Sequence, residues 1–135
     1  MSDQNYPSQV QSIPQALTLA VQYHQAGQLA QAKDIYQQIL QHNPHHVDAL
    51  YLLGTLFFQN NEAYQISADL IGKAIELDPN FAEAHNNLGN TLKALGQSEQ
   101  AIASYRKAIE LKPNYAEAYS NLADILKDSG EREEA

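Results

Sequence analysis

The sequence predicts an all-α fold, a solenoid of helix-turn-helix repeats, from a period of about 34 residues and a hairpin pattern inside each period. Prolines recur at intervals of 35 and 34 residues, and two series of small residues keep the same period. Each period holds two amphipathic segments that are separated by a glycine or asparagine, which is typical of two helices joined by a tight turn. The three series are Pro44, Pro79 and Pro113; Ala20, Gly54, Gly89 and Ala123; and Ala32, Ser67, Ala101 and Ala135.

The helices are predicted in chain order from the spacing of their apolar residues. Ser12 can cap the first helix, Gln15 can return the hydrogen bond, and Pro14 falls in the first turn, where proline is tolerated. The first helix of each hairpin is expected to end at a residue suited to the left-handed conformation, namely Gly27, Asn61, Gly96 or Gly130. The predicted helices span residues 13–26, 29–42, 47–60, 63–77, 81–95, 98–111 and 115–129.

The period divides the chain into a lead segment and four units. Residues 1–12 are expected to form a flexible lead. Because the extra residue of the period enters between Asn61 and Ser67, one residue is inserted within 62–66, in a turn that tolerates it. The predicted units are residues 13–46, 47–81, 82–115 and a partial unit at 116–135.

The small residues are expected where the two helices of a hairpin cross closely. Gly89 in the first helix of the third unit faces the second helix, where Ala101 is small and Tyr105 is bulky. A leucine at Gly89 is therefore expected to disrupt that unit, because the crossing has no room for its carbons.

The partial fourth unit stops midway through its repeat, which predicts a fragment of a longer protein. Leu122, Ile125 and Leu126 are expected to lose much of their cover, because too few residues follow to form a second helix. Self-association through this end, or through an apolar groove, is therefore expected.

Charge and composition exclude several classes of function. Sixteen acidic and eight basic side chains give a formal net charge of −8, which repels phosphate backbones and anionic lipid, so neither nucleic acid nor membrane is expected as a partner. There is no cysteine, no signal peptide pattern at the start and no apolar run long enough to span a bilayer. A cytoplasmic protein is predicted.

No catalytic, cofactor or metal site is predicted. The sequence has no Gly-rich phosphate loop, nucleophile motif or zinc-protease motif, so an enzyme activity of this region is not expected. His42, His45 and His46 lie close together around Pro44, and imidazole is a common metal ligand. Solvated turn residues explain these histidines better than a metal site does.

The period, Gly89 after Leu88, and Tyr105, Ala108 and Pro113 resemble the tetratricopeptide repeat family over about residues 13–135. The resemblance implies a right-handed superhelix whose concave face, lined by the first helix of each repeat, holds a peptide or a partner helix. A protein-interaction scaffold, rather than an enzyme, is the function that the resemblance implies.

The candidate groove residues occupy first-helix positions that turn away from the second helices. The predicted groove is apolar at its N-terminal end and rich in amides at its C-terminal end. An apolar partner covers the N-terminal end on one interpretation, and deeper burial or packing against the chain's own lead explains it on the other. The predicted groove residues are Leu17, Val21, Tyr51, Leu52, Thr55, Phe58, Asn86, Asn87, Asn90, Lys93, Asn121 and Asp124.

The asparagines of the third unit require a reason, since each costs roughly 0.5 kcal/mol relative to alanine in a helix. An amide offers one acceptor and two donors, so it can bind a peptide backbone irrespective of sequence. The third and fourth units are similar to the repeats of O-linked N-acetylglucosamine transferases, and Asn87 and Asn121 match the asparagine ladder that holds substrate peptide there. Toleration at solvent-facing positions is the alternative explanation.

Two expectations follow from the ladder. Alanine at Asn87 and Asn121 should leave stability equal or slightly higher, because alanine is the better helix former, while weakening a bound peptide. The resemblance also implies an alternative function for the whole region, as the N-terminal substrate-presenting arm of a larger glycosyltransferase.

Overall fold

The computed structural model describes residues 12–61 and 63–134, and within these ranges the chain forms α-helices without strands. The all-α prediction is confirmed, while the predicted lead lies outside the described residues except for Ser12. The helices are α1 (Ile13–Gln25), α2 (Leu29–His42), α3 (Val47–Gln59), α4 (Tyr64–Leu77), α5 (Ala82–Ala94), α6 (Ser98–Leu111) and α7 (Ala116–Glu134).

The helices stack as a solenoid of hairpins. Each helix packs against the next one along the chain, so that α1 with α2, α3 with α4, and α5 with α6 form the three complete hairpins. The first helices also contact one another directly, α3 with α5 and α5 with α7. One face of the solenoid is therefore built mainly from first helices.

Close helix crossings depend on glycine at two positions. A Cβ added at Gly89 would lie 2.5 Å from Cε1 of Tyr105, and one added at Gly54 would lie 2.6 Å from Cγ1 of Ile71. Tyr105 is 1% exposed and Ile71 is completely buried, so neither side chain has room to retreat. The predicted packing of small residues against bulky ones is confirmed.

The turns inside the hairpins reverse the chain through a left-handed residue, as predicted. The φ angles of Gly27, Asn61 and Gly96 are 80°, 54° and 81°. Helix α4 begins five positions after the last residue of α3, whereas α2 and α6 each begin four positions after the last residue of the preceding helix. The second unit is thus lengthened at this turn.

Helix α7 departs from two expectations. It continues through Gly130 to Glu134, whereas a turn was predicted there. A left-handed end is stabilised when a second helix packs back, and among the described residues no helix follows α7, so continued helical hydrogen bonds are favoured. Ile125 is only 2% exposed because it packs with Ala101 and Tyr105, so its predicted loss of cover is wrong.

Two helix starts among the described residues carry a side-chain cap. The Ser12 hydroxyl accepts a hydrogen bond from the Gln15 backbone N–H at 3.3 Å, as predicted for the start of α1. At the start of α3, Nδ1 of His46 accepts from the Ala49 backbone N–H at 3.1 Å. None of the described helices combines the length and apolarity needed to cross a membrane.

Candidate peptide-binding groove

A cavity of about 430 Å³ opens on the face built from first helices, between α3, α5 and the start of α7. We call it the groove cavity. Its walls combine aromatic rings, amides and carboxylates, which suits a polar chain with at least one large side chain. The lining residues are Tyr51, Thr55, Phe58, Gln59, Ile71, Glu83, Asn87, Asn90, Thr91, Tyr115 and Glu117.

Five of the predicted groove residues meet at this cavity. Tyr51, Thr55 and Phe58 come from α3, while Asn87 and Asn90 come from α5. Their side chains converge because the corresponding faces of α3 and α5 lie side by side in the solenoid. The remaining predicted residues lie elsewhere.

At the apolar N-terminal end of the predicted groove, some of the predicted residues pack against the hydrophobic core. Leu17 and Leu52 are half-buried and pack against the main hydrophobic cluster, so deeper burial explains them. Val21 is also half-buried and does not line the groove cavity. His24 is held by two hydrogen bonds: its Nε2 donates to Oε1 of Gln59 at 2.7 Å, and its Nδ1 accepts from the Tyr36 hydroxyl at 2.9 Å.

Two predicted residues at the other end are exposed but outside the cavity. Lys93 and Asp124 are exposed and are not among the lining residues. Asn121 is half-buried and points toward the third repeat, where it contacts Asn86. The groove cavity is therefore shorter than the predicted groove.

The prediction that Asn86 faces a ligand is wrong. Its side chain is completely buried between the third and fourth repeats. Oδ1 of Asn86 accepts a hydrogen bond from Nδ2 of Asn121 at 3.0 Å, and Nδ2 of Asn86 lies 3.5 Å from Oδ1 of Asn87. A buried amide needs such partners, because a polar group that is buried without a hydrogen bond destabilises the folded state.

The asparagines form a polar chain that links three repeats. Nδ2 of Asn121 donates to Asn86, Nδ2 of Asn86 donates to Oδ1 of Asn87 over a long 3.5 Å, and Nδ2 of Asn87 donates to the Tyr51 hydroxyl at 2.8 Å. All three bonds run in the same direction, so each polarises the next. Coupling between repeats is thus one reason for asparagine at these helix positions, and neither predicted explanation contained it.

The side-chain amide of Asn90 binds the core through its oxygen, while its nitrogen is available at the groove cavity. Its Oδ1 accepts a hydrogen bond from the buried Tyr105 hydroxyl at 2.7 Å. Its Nδ2 makes no hydrogen bond to another described residue, and Asn90 lines the cavity. A ligand carbonyl can therefore accept from this amide.

Sequence reasoning missed the aromatic and acidic residues at the rim. Tyr115, Glu83 and Glu117 lie at or just before the first turns of α5 and α7 and line the cavity. The signal that could have found them is the similarity of residues 79–84, PNFAEA, to residues 113–118, PNYAEA, in which Glu83 and Glu117 occupy the same place. An acidic residue in a first turn is normally read as favourable to the helix dipole, which conceals such a role.

The cavity walls are electrostatically negative. Burial raises the pKa of Tyr51 to about 12, and the nearby Tyr115, Glu83 and Glu117 add to the increase. Burial also raises the pKa of Tyr115, with Glu117 and Glu83 contributing next. Both phenols therefore stay neutral at neutral pH. The negative charges of Glu83 and Glu117 are both felt inside the groove cavity.

Among the described residues no group of three or more His, Cys, Asp or Glu is arranged to hold a metal ion. Of the three histidines noted in the sequence, His46 caps α3. His45 lies exposed in the turn.

Comparison with known proteins relates the chain to one family. A family model described as TPR repeat matches residues 89–130, and two described as tetratricopeptide repeat match residues 70–103 and 23–65. The crystal structure of MamA has a TM-score of 0.83 and 27% identity, covering 91% of this chain and 71% of that one.

Two further relatives are glycosyltransferases. The chain is 37% identical over 89 residues to the probable UDP-N-acetylglucosamine–peptide N-acetylglucosaminyltransferase SEC of Arabidopsis thaliana, covering 66% of this chain and 9% of that protein. An O-GlcNAc transferase structure from Thermobaculum terrenum has a TM-score of 0.81 and 37% identity, covering 84% of this chain and 22% of that one. The chain thus spans a small part of both transferases.

Proposed function

This chain belongs to the tetratricopeptide repeat family, and we propose that it is an interaction module that holds an extended peptide segment of a protein partner in its concave groove. Its repeats are a scaffold fold rather than a catalytic one. The observation that carries the proposal is the groove cavity, which first helices of successive repeats and the turn before α7 largely enclose.

The walls of the cavity suit a peptide in two respects. The Nδ2 of Asn90 is available to a backbone carbonyl, which every peptide offers irrespective of sequence. Tyr51 and Phe58 provide an apolar wall for a side chain of the same peptide. Asn87 and Asn121 also take part in the polar chain between repeats. We propose that they bind the peptide only through the amide hydrogens and oxygen lone pairs that this chain does not use.

A blocking substitution tests this proposal. Thr55 lines the cavity, and its hydroxyl donates to the Tyr51 carbonyl of the same helix, so Thr55→Met fills the cavity without removing a hydrogen bond between helices. Ala103→Met adds the same side chain at an exposed site on α6 and is the matched control. Both variants would be tested against a random peptide library displayed on phage.

We expect selected peptides to bind the unmodified chain and the Ala103→Met control equally, and the Thr55→Met variant about tenfold more weakly or not at all. Equal binding to all three proteins would show that the cavity is not the binding site. Failure of the library to yield any binder to the unmodified chain would count against peptide binding itself.

A second candidate function is the substrate-presenting arm of a larger glycosyltransferase. The identity of 37% to two transferases over this region favours it. The complete reading frame of the gene tests it, because a glycosyltransferase domain in the same chain is required and further repeats or a stop would favour the free-standing scaffold.

Self-association and location remain proposals from the sequence. Tyr119 is 48% exposed and Leu126 is 37% exposed, so α7 carries apolar surface that a second copy can cover. We expect sedimentation velocity to show concentration-dependent association that Leu126→Asp weakens. A cytoplasmic location is proposed from the predictions above and would be tested by imaging a tagged copy.

A further inference from the structure

The groove cavity is lined by carboxylates and aromatic rings, and no lysine or arginine is among its lining residues. Glu83 and Glu117 carry the two charges, while Tyr51, Phe58 and Tyr115 supply the rings. Carboxylates attract a cation by charge, and the faces of aromatic rings attract it through their negative quadrupole. A positively charged side chain is the group that both kinds of wall favour.

The rim already holds such a group within the chain itself. Nζ of Lys112 lies 3.2 Å from Oε2 of Glu83 and 4.6 Å from the ring centroid of Tyr115. Lys112 does not line the cavity, so this ammonium group lies at its edge and leaves the interior open. The chain thus contains its own example of a cation held by one carboxylate and one ring of this site.

The second carboxylate has no such partner. Glu117 forms no ion pair with a described residue, whereas the charge of Glu83 is offset by Lys112. Both carboxylates nevertheless act on the interior, because both contribute to the raised pKa of Tyr51 and of Tyr115. The groove cavity therefore holds an uncompensated negative charge beside aromatic walls.

We infer that the groove cavity selects a basic side chain, lysine or arginine, in the peptide that it binds, with Glu117 and Glu83 as the charged contacts and the tyrosine rings as its walls. This inference rests on the proposed function and adds the chemistry of the partner. It predicts partners whose bound segment carries a basic residue, rather than acidic peptides.

The experiment compares peptides that differ only at one position. Synthetic arrays would carry degenerate flanking residues and a central Lys, Arg, Gln or Glu, and would be probed with the unmodified chain. The double variant Glu83→Gln and Glu117→Gln removes both charges while keeping the size of each side chain. It costs little stability, because the Glu83–Lys112 pair is about half exposed and solvent screens the attraction within such a pair.

The control carries the same change of net charge outside the groove. Glu76→Gln and Glu99→Gln neutralise two exposed carboxylates on α4 and α6. Because the whole chain has a formal net charge of −8, basic peptides are attracted to it generally, and the control isolates that general attraction from recognition in the cavity.

We expect the unmodified chain and the control to bind Lys or Arg peptides about tenfold more tightly than Gln peptides, and the groove double variant to lose this preference. Binding of the Lys, Gln and Glu series with equal strength would overturn the basic-residue inference while leaving peptide binding intact. A preference that survives in the groove variant would place the selectivity elsewhere and overturn it too. Absence of binding to every series would overturn the proposed function.

Discussion

At the scale of single residues, adjacent residues of the same type can have different structural roles. Asn86 and Asn87 are adjacent on α5, yet the first is completely buried between repeats and the second lines the groove cavity. A helix turns about 100° per residue, so neighbours necessarily face different surroundings. Each asparagine must therefore be assigned by its own contacts.

Replacing Asn121 by alanine should destabilise the protein by about 1–3 kcal/mol, because the buried Oδ1 of Asn86 would lose its donor. This reverses the expectation from helix propensity alone, which was equal or slightly higher stability. Urea denaturation measures the difference, with Ser120→Ala on the exposed side of α7 as the control. An unchanged midpoint for Asn121→Ala would show that the bond to Asn86 is not needed.

Replacing Gly89 by leucine should destabilise the chain by about 3 kcal/mol or more, because its Cβ alone would lie 2.5 Å from the buried Tyr105 ring. Gly72 offers a matched control, since a Cβ there meets no other atom within 4 Å. Gly72→Leu should be neutral or stabilise α4 by up to about 1 kcal/mol. Similar unfolding midpoints for the two variants would refute the close crossing.

At the scale of elements, a glycine suited to the left-handed conformation ends a helix only where a second helix packs back on the first. Gly27 and Gly96 adopt the left-handed conformation that ends α1 and α5, whereas α7 continues through Gly130. The difference lies in the neighbouring helix, because the turn is stabilised only when the next helix packs back on the first. Sequence signals therefore locate potential helix ends, and packing decides which of them are used.

Replacing His46 by alanine should cost about 1 kcal/mol, because the N–H of Ala49 at the start of α3 would lose its acceptor. His45→Ala is the control, since that ring is exposed in the same turn and makes no cap. Thermal unfolding followed by circular dichroism compares the two variants. If His45→Ala proved as costly as His46→Ala, the cap would not be the reason for the loss.

At the scale of the whole molecule, buried tyrosines make stability depend on alkaline pH. The pKa values of Tyr36, Tyr51 and Tyr105 are raised by burial to about 12, against 10.0 for ordinary tyrosine. Between these values the unfolded chain has lost protons that the folded chain keeps, so the unfolded state is favoured as pH rises. Their contribution is fully present below about pH 10 and is lost as pH rises through about 12.

Urea denaturation at a series of pH values should therefore show a midpoint that falls between about pH 10 and 12. Tyr105→Phe should show a shallower fall, because one of the three titrating groups is absent. A midpoint that stays constant over this range would contradict the assigned burial of these phenols.

The sequence by itself determined the period, the helices and the close crossings. Apolar spacing specifies a helix locally, and a crossing such as that of Gly89 and Tyr105 demands a small residue wherever it occurs, so both leave a repeating signal. It also placed Tyr51, Thr55, Phe58, Asn87 and Asn90 on one face, where the structure brings them together.

Only the tertiary structure decided what lies between repeats. The angle at which hairpins stack determines that Asn86 is buried against Asn121, that Ile125 is covered by α6, and that Glu83 and Glu117 reach one cavity. These residues lie between 20 and 35 positions apart in the sequence, and local patterning cannot set the distance between atoms on separate helices. Periodicity indicates which positions are equivalent, but packing decides which of them meet.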